Sequence, residues 1–194
     1  KKEAKKNEKE KEKQQLSEAA ALLPSNRVIE LQALNNMLRS ESLEVFEIDA
    51  DGHCLYRSVA DQLKLALTYP SYSFLQNRID SNITFADIRH FTAQHMRNNS
   101  SMYAPFLGLE GDSHEYSAYC DTVDSVVKAE WGGQLEINAI CSFFEITIWV
   151  YEANKPILKM GEEFNTSPPL RLAYHRHYYS LGEHYNSIQP INSH

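Results

Sequence analysis

The hydrophobic pattern of this chain changes period once, near residue 145, and that change limits the fold more than any other feature. Upstream, apolar residues recur every three or four positions. Val28, Leu31, Leu34 and Leu38, with Met37 beside them, form one stripe behind a candidate N-cap at Ser25 or Asn26. Leu55, Val59, Leu63 and Leu67 form a second, so a helix begins at or near Cys54. Phe85, Ile88, Phe91 and His95 follow Thr84 and Asp87, which have capping-box spacing. Tyr116, Tyr119, Cys120, Val123, Val126 and Val127 predict another helix, broken by Trp131-Gly132-Gly133, and Leu135, Ala139, Ile140 and Phe143 predict one more. Then the period becomes two: Ile146, Ile148 and Val150 alternate with Thr147, Trp149 and Tyr151. Leu170 to Tyr174 and Tyr185 to Ile188 repeat the alternation. A short strand-like stretch, Leu43 to Ile48, interrupts the helical part, and residues 68–83 read as a long loop. Helical and strand patterns segregated in this way predict an α+β domain with a largely antiparallel sheet, rather than a doubly wound βαβ fold.

Charge divides the chain a second time. The whole carries 19 Lys and Arg against 26 Asp and Glu, a formal net charge of −7. The first thirteen residues hold seven Lys and four Glu, a net of +3, so the remainder is 12 basic against 22 acidic, a net of −10. Glu3/Lys6, Glu8/Lys11 and Glu10/Lys13 lie at i,i+3, compatible with a solvated helix. The tract reads either as a charged, frayed extension or as a basic arm for nucleic acid or an acidic partner. The four interleaved Glu weaken it as a pure phosphate binder. A first residue of Lys rather than Met is expected of a fragment whose charged tract continues upstream.

Composition removes other classes. At 42% hydrophobic, with 11 Tyr and 8 Phe, wholesale disorder is excluded. No apolar run approaches the ~20 residues of a spanning helix, and no secretory leader pattern is present, so the expected compartment is cytoplasmic. Three separated Cys without a CxxC argue against a disulfide framework and against a zinc ribbon.

Chemistry concentrates first at Asp51-Gly52-His53-Cys54, a polar loop running into a helix. A helix N-terminus favours an anion and is expected to lower the pKa of a cysteine there. Gly52 frees the loop to turn backbone amides toward an oxyanion. Cys120 and Cys141, mid-helix among apolar neighbours, read as packing. A cysteine nucleophile needs a base, and the base needs a group to hold its ring. In Glu183-His184-Tyr185-Asn186 the strand period puts His184 and Asn186 on one face, where the amide oxygen can fix the imidazole tautomer. His90 and His95 are explained by helix packing or solvation. His175 and His177 lack a spaced carboxylate or Cys partner, so no metal is expected.

Three blocks carry a resemblance: DGHCLYRSVADQL (51–63), WGGQLEINAI (131–140) and GEHYNSI (182–188) resemble, in order, the signature blocks of the ovarian-tumour (OTU) cysteine proteases, which are deubiquitinases. The run His177 to Ser187 is similar to members that carry a charged helical N-terminal extension. The resemblance implies a papain-like OTU fold, a mostly antiparallel sheet flanked by helices, over residues 45–190. Residues 1–24 would then be the extension, 25–44 an amphipathic helix and linker, and 191–194 a tail. It implies Cys54 as nucleophile, His184 as general base, Asn186 as its orienting group and Asp51 as organiser of an oxyanion loop built from the backbone of Asp51, Gly52, His53 and Cys54. Trp131, Gly132, Gly133 and Glu183 would border the substrate cleft. There Gly would admit an extended peptide, and Trp131 could equally be packing. No cofactor is implied. Ubiquitin and ubiquitinated proteins are the implied partners, with the extension directed at the translation machinery, the small ribosomal subunit or RNA. The alternative is a ubiquitin- or ribosome-binding scaffold with weak or no activity. Two positions depart from common family usage: His53 stands where Asn is frequent, and Asn186 where many members have Asp, which implies modest intrinsic activity.

Overall fold

A computed structural model describes residues 25–127, 130–178 and 182–191. The readings of the charged tract at 1–24 and of the tail at 192–194 lie outside the described residues.

The elements are helix α1 (Asn26–Arg39), strand β1 (Leu43–Phe46), α2 (Cys54–Ala66), α3 (Phe85–Asn98), the single turn α4 (Ser100–Tyr103), α5 (His114–Asp124), α6 (Gln134–Phe144), β2 (Ile148–Glu152), β3 (Leu158–Met160), β4 (Leu170–Tyr178) and β5 (Gly182–Pro190). The strands form one sheet in the order β1-β5-β4-β2-β3. Only β2 and β4 run parallel; the other three pairings are antiparallel. This is the α+β architecture that the change of period predicts.

Both faces of the sheet are covered. Ile148, Val150, Leu170 and Leu172 pack with Leu55, Val59 and Leu63 of α2 and Ile137, Ile140 and Phe144 of α6 in the main core. Tyr151, Ala173 and Ile188, of opposite parity along their strands, pack with Leu34 and Leu38 of α1. The surface that α1 needs is therefore the sheet itself. Its buried line is Glu30, Leu34 and Leu38, rotated from the Val28-led stripe, and Val28 is exposed. Glu30 is buried because its carboxylate accepts the backbone N–H groups of Arg176 (2.8 Å) and His177 (3.1 Å), an ion satisfied by donors rather than stranded.

Several boundaries differ from the pattern. Helix α5 stops at Asp124, and Val126 and Val127 are exposed beyond it. Residues 70–75 form a short 3-10 turn that buries Tyr72 and Leu75 within the expected loop. Strand β3, three residues long and partly exposed, is too short to show a period. The capping box at Thr84 and Asp87 is present as expected, with the Asp87 carboxylate accepting the Thr84 N–H at 2.8 Å.

Candidate active site

Helix α2 begins at Cys54, and its first turn is fixed by side chains rather than by a cap. Asp51 Oδ1 accepts the His53 N–H (2.8 Å), while Oδ2 accepts Arg57 Nη2 (2.8 Å) and Nε (3.0 Å). Burial pushes the Asp51 carboxyl up, but Arg57 and the His53 N–H together outweigh it and hold the group below its ordinary value. Asp51 thus ties the loop to the helix it precedes. Of the four amides expected to face an oxyanion, His53's is taken by Asp51 and Asp51's own by the Asp49 carbonyl (3.0 Å). Gly52 and Cys54, the latter in a long 3.3 Å turn bond to the Asp51 carbonyl, remain as candidates.

Arg89, on α3 and fully buried, holds the same loop from behind. Its Nη2 donates to the carbonyls of Gly52 (2.9 Å) and Glu130 (2.8 Å), Nη1 to the Val123 carbonyl (2.8 Å), and Nε to His53 Nδ1 (2.9 Å). The guanidinium also lies 4.1 Å over the Tyr56 ring. A guanidinium only donates, so His53 Nδ1 must be the unprotonated nitrogen. Burial, and then the Arg89 charge, push the His53 pKa down and keep it neutral. His53 therefore offers an acceptor that an Asn side chain would also supply.

The helix and strand β5 are joined along a polar seam. Ser58 Oγ donates to the Tyr185 carbonyl (3.2 Å); Gln62 Nε2 donates to Ser187 Oγ (2.8 Å) and the Ile188 carbonyl (2.6 Å). Gln62 Oε1 accepts the Arg171 N–H (2.7 Å), and Asp61 accepts from Ser187 and Gln189. Four residues of helix rise ~6 Å and two residues of strand ~6.6 Å. The steps from Ser58 to Gln62 and from Tyr185 to Ser187 therefore match, and the seam holds one register between Cys54 and β5.

That register brings the Tyr185 N–H onto the Cys54 sulfur. His184 and Asn186 are buried, with His184 Nε2 at 3.0 Å from Asn186 Oδ1. Asn186 Oδ1 also accepts the Ile48 N–H (2.8 Å), and Tyr178 stacks on the His184 ring at 4.0 Å. No hydrogen bond joins Cys54 to His184 among the described residues, as is common before substrate binds.

The expected lowering of the Cys54 pKa is not what the site produces. Burial pushes the thiol above its ordinary value, and the N–H groups of Tyr185, Leu55 and Cys54 pull it down by less. Burial likewise pushes His184 below its ordinary value against Asn186, the Ile48 carbonyl, Asp51 and Glu47. The pair rests as thiol and neutral imidazole because removing charge from water outweighs partial charges at a helix end.

A cleft of about 470 Å³ opens at Cys54, bordered by Trp131, Gly133, Glu183 and Tyr185. Gly132 lines the same cleft, and it also lets the loop lie directly on α2: a Cβ there would come within 2.5 Å of Leu55 and 3.1 Å of the Tyr56 ring. Trp131 is about half exposed. Glu136, buried, accepts the Gly133 N–H (2.6 Å) and the Tyr119 hydroxyl, which anchors this rim to α6. Arg57, Ser58, Gln62, Arg89 and Glu136 were not singled out by sequence. All but Arg89 lie inside the signature blocks, and Ser58 and Gln62 follow Cys54 at i+4 and i+8, which was the available signal. Among the described residues no three His, Cys, Asp or Glu side chains cluster as metal ligands.

A thiol at a helix start beside a strand bearing a buried His–Asn pair has the side-chain set of the papain-type cysteine protease class. The family model described as OTU-like cysteine protease matches residues 49–185, and the chain belongs to that family. It is 36% identical to deubiquitinase OTUD6B of Mus musculus over 189 residues, 95% of this chain and 59% of that protein. It is 29% identical to OTU domain-containing protein 2 of Saccharomyces cerevisiae, over 91% of this chain and 55% of that one. The chain therefore spans a little over half the length of these relatives. Among solved structures, the OTU domain of OTUD1 aligns with a TM-score of 0.59 at 20% identity, over 82% of this chain and 94% of that one. An OTU domain in complex with ubiquitin aligns with a TM-score of 0.53 at 20% identity, over 76% and 69% respectively. At such identities the likeness is one of fold.

Proposed function

We propose that this chain is the catalytic part of a deubiquitinase, cleaving the isopeptide bond between the terminal Gly of ubiquitin and a substrate lysine. The observation that carries the reading is the placement of Cys54 against the Tyr185 N–H, one residue from His184, whose Nε2 is held by Asn186. With Nε2 carrying the proton toward Asn186, Nδ1 is the free base. The Cys54 thiol passes its proton to His184, and the thiolate attacks the Gly carbonyl carbon. The amides of Gly52 and Cys54 receive the oxyanion. As the C–N bond breaks, His184 returns the proton to the departing lysine amine, leaving a thioester on Cys54. His184 then takes a proton from water, which attacks the thioester, and gives it back to the Cys54 sulfur as the ubiquitin carboxylic acid leaves and loses its proton to solvent. The cleft bordered by Trp131, Gly133 and Glu183 takes the extended ubiquitin tail.

The raised thiol and the uncharged Asn186 also favour a second reading, a ubiquitin-binding scaffold with little turnover. One experiment separates the two. Ubiquitin carrying a C-terminal thiol-reactive group is expected to form an adduct on Cys54, and Cys54→Ser to abolish adduct and cleavage while the melting temperature is retained. A folded chain that binds ubiquitin without forming the adduct would establish the scaffold.

A further inference from the structure

Strand pairing sets His175 directly opposite His184, and Ala173 opposite Asn186, so the two histidines and the asparagine share one face of the sheet. The Asn186 amide has a single consistent orientation there. Its Oδ1 meets the Ile48 N–H at 2.8 Å, and a backbone N–H can only donate, so the oxygen must lie on that side. The amide nitrogen then lies 3.2 Å from His175 Nε2. Since Nδ2 only donates, His175 Nε2 must be an acceptor, which makes His175 a neutral ring protonated on Nδ1. By the same orientation Oδ1 accepts from His184 Nε2 and leaves Nδ1 of His184 basic. The Tyr178 hydroxyl also bonds the Asn186 side chain, completing its surroundings.

We propose that His175 is a positioning residue: as a neutral acceptor it locks the Asn186 amide, and through it the tautomer of the proposed base His184. This deepens the hydrolase reading and rests on it for its kinetic consequence. Asn186 is fully buried, so a rotated amide would present Nδ2 to the Ile48 N–H, donor against donor, with no water to relieve it. His175 removes the alternative in which the amide turns to satisfy its nitrogen elsewhere.

The surroundings keep His175 neutral, while its Nδ1 has no hydrogen-bond partner among the described residues, so the Asn186 contact alone selects the Nδ1–H tautomer. Burial, then the proximity of His184 and of Arg27 on α1, push its pKa down to about 4. The other neighbours are the Tyr178 ring, 5.3 Å away on the same strand, and Asn186 itself. The Glu30 carboxylate of α1 is engaged by the N–H groups of Arg176 and His177. His175 therefore stays neutral through the working pH range, and the lock opens only in strong acid. A protonated ring would place a donor against the Asn186 nitrogen and drive the amide round.

Nitrogen-15 NMR of the wild-type chain tests the state directly. His175 is expected as the Nδ1–H tautomer and His184 as Nε2–H; finding His175 protonated on Nε2 near neutral pH overturns the proposal. Two variants test the consequence. His175→Leu removes the acceptor and is expected to lower kcat roughly 10-fold, the effect of losing one orienting hydrogen bond. KM should be unchanged and the His184 signal should become a mixture of tautomers. His175→Gln, whose amide oxygen accepts without titrating, is expected to restore most of kcat and the single tautomer. A His175→Leu chain that keeps wild-type kcat and one His184 tautomer, or a folded His175→Gln chain as slow as it, sinks the idea. Wild-type chain without turnover would instead overturn the hydrolase reading, and the NMR assignments would still decide this one.

Discussion

The two walls of the cleft are built by different means. The wall carrying Cys54 and Tyr185 is a seam between helix α2 and strand β5, where Ser58, Asp61 and Gln62 bond residues 185–189 at matched steps. The opposite wall, residues 131–133, has no regular structure, and two buried charged side chains from other elements support it. Arg89 holds the carbonyls of Val123 and Glu130, and Glu136 holds the N–H of Gly133. The first wall is a periodic match between regular elements, so its bonds are many and individually replaceable. The second depends on single side chains, so each one matters more. Arg89 also reaches Gly52 and His53, and thereby fixes the position of one wall relative to the other.

The largest effect should come from removing that link. Arg89→Leu leaves three carbonyls and His53 Nδ1 without their donor in a fully buried place. A loss of about 3–5 kcal/mol is expected, as for breaking a buried charged network, read as a shift of the urea midpoint. Arg89→Lys should recover little, because one ammonium cannot span carbonyls on both loops. If Arg89→Leu instead costs no more than a surface substitution, the second wall is self-supporting and the contrast between the walls fails.

Acid should weaken the first wall next. His175, beside the seam, is neutral in the folded chain with a pKa of about 4, against an ordinary value of 6.5. The unfolded chain binds the proton first, so stability is full above pH 6.5 and falls as pH drops toward 4. Lowering the pKa from 6.5 to about 4 corresponds to about 3 kcal/mol of stability lost across that range. Burial moves His184 in the same direction. Unfolding free energies measured between pH 7 and pH 4 should show this slope, and His175→Gln should flatten it. An unchanged slope in that variant would assign the acid sensitivity elsewhere.

Breaking one stitch of the seam should cost less. Gln62→Leu keeps the volume but leaves Ser187, the Ile188 carbonyl and the Arg171 N–H short of a partner. About 1–3 kcal/mol is expected, with the remaining bonds of Ser58 and Asp61 preserving the register. If turnover then falls further than stability explains, the seam sets the distance between Cys54 and His184 more tightly than its redundancy suggests.

The two walls also differed in how far sequence revealed them. The start of α2, the capping box of α3 and the His184–Asn186 pair could be read because each is set by neighbours a few residues away. Arg89 could not. It follows Ile88 in an amphipathic helix, where periodicity assigns a charge to the solvated side, yet its partners lie 34 to 41 residues away. Glu30 is hidden from the pattern in the same way: its partners are backbone N–H groups on β4, and its burial rotates α1 away from the Val28 stripe. The resting thiol was missed because burial of Cys54 comes from the assembled walls and outweighs the local helix end. Local signals position elements, whereas buried charge is decided by long-range backbone donors and acceptors that leave no period.

Trp131 gives the smallest expected change in stability and the sharpest test of what the second wall does. Its ring is about half exposed and borders the cleft at Cys54, so it does not serve the core. Trp131→Ala should therefore alter unfolding free energy by no more than about 0.5 kcal/mol, as at other surface sites. If the rim only receives substrate, the ring contacts the ground state and transition state alike. KM for a ubiquitin substrate should then rise, by roughly 10-fold for a loss of about 1.4 kcal/mol, with kcat unchanged. A fall in kcat at constant KM would mean that the ring instead steadies the Gly132 approach to Leu55 and Tyr56. The two walls would then act as a single device, because the rim would be holding the first turn of α2 and, with it, the sulfur.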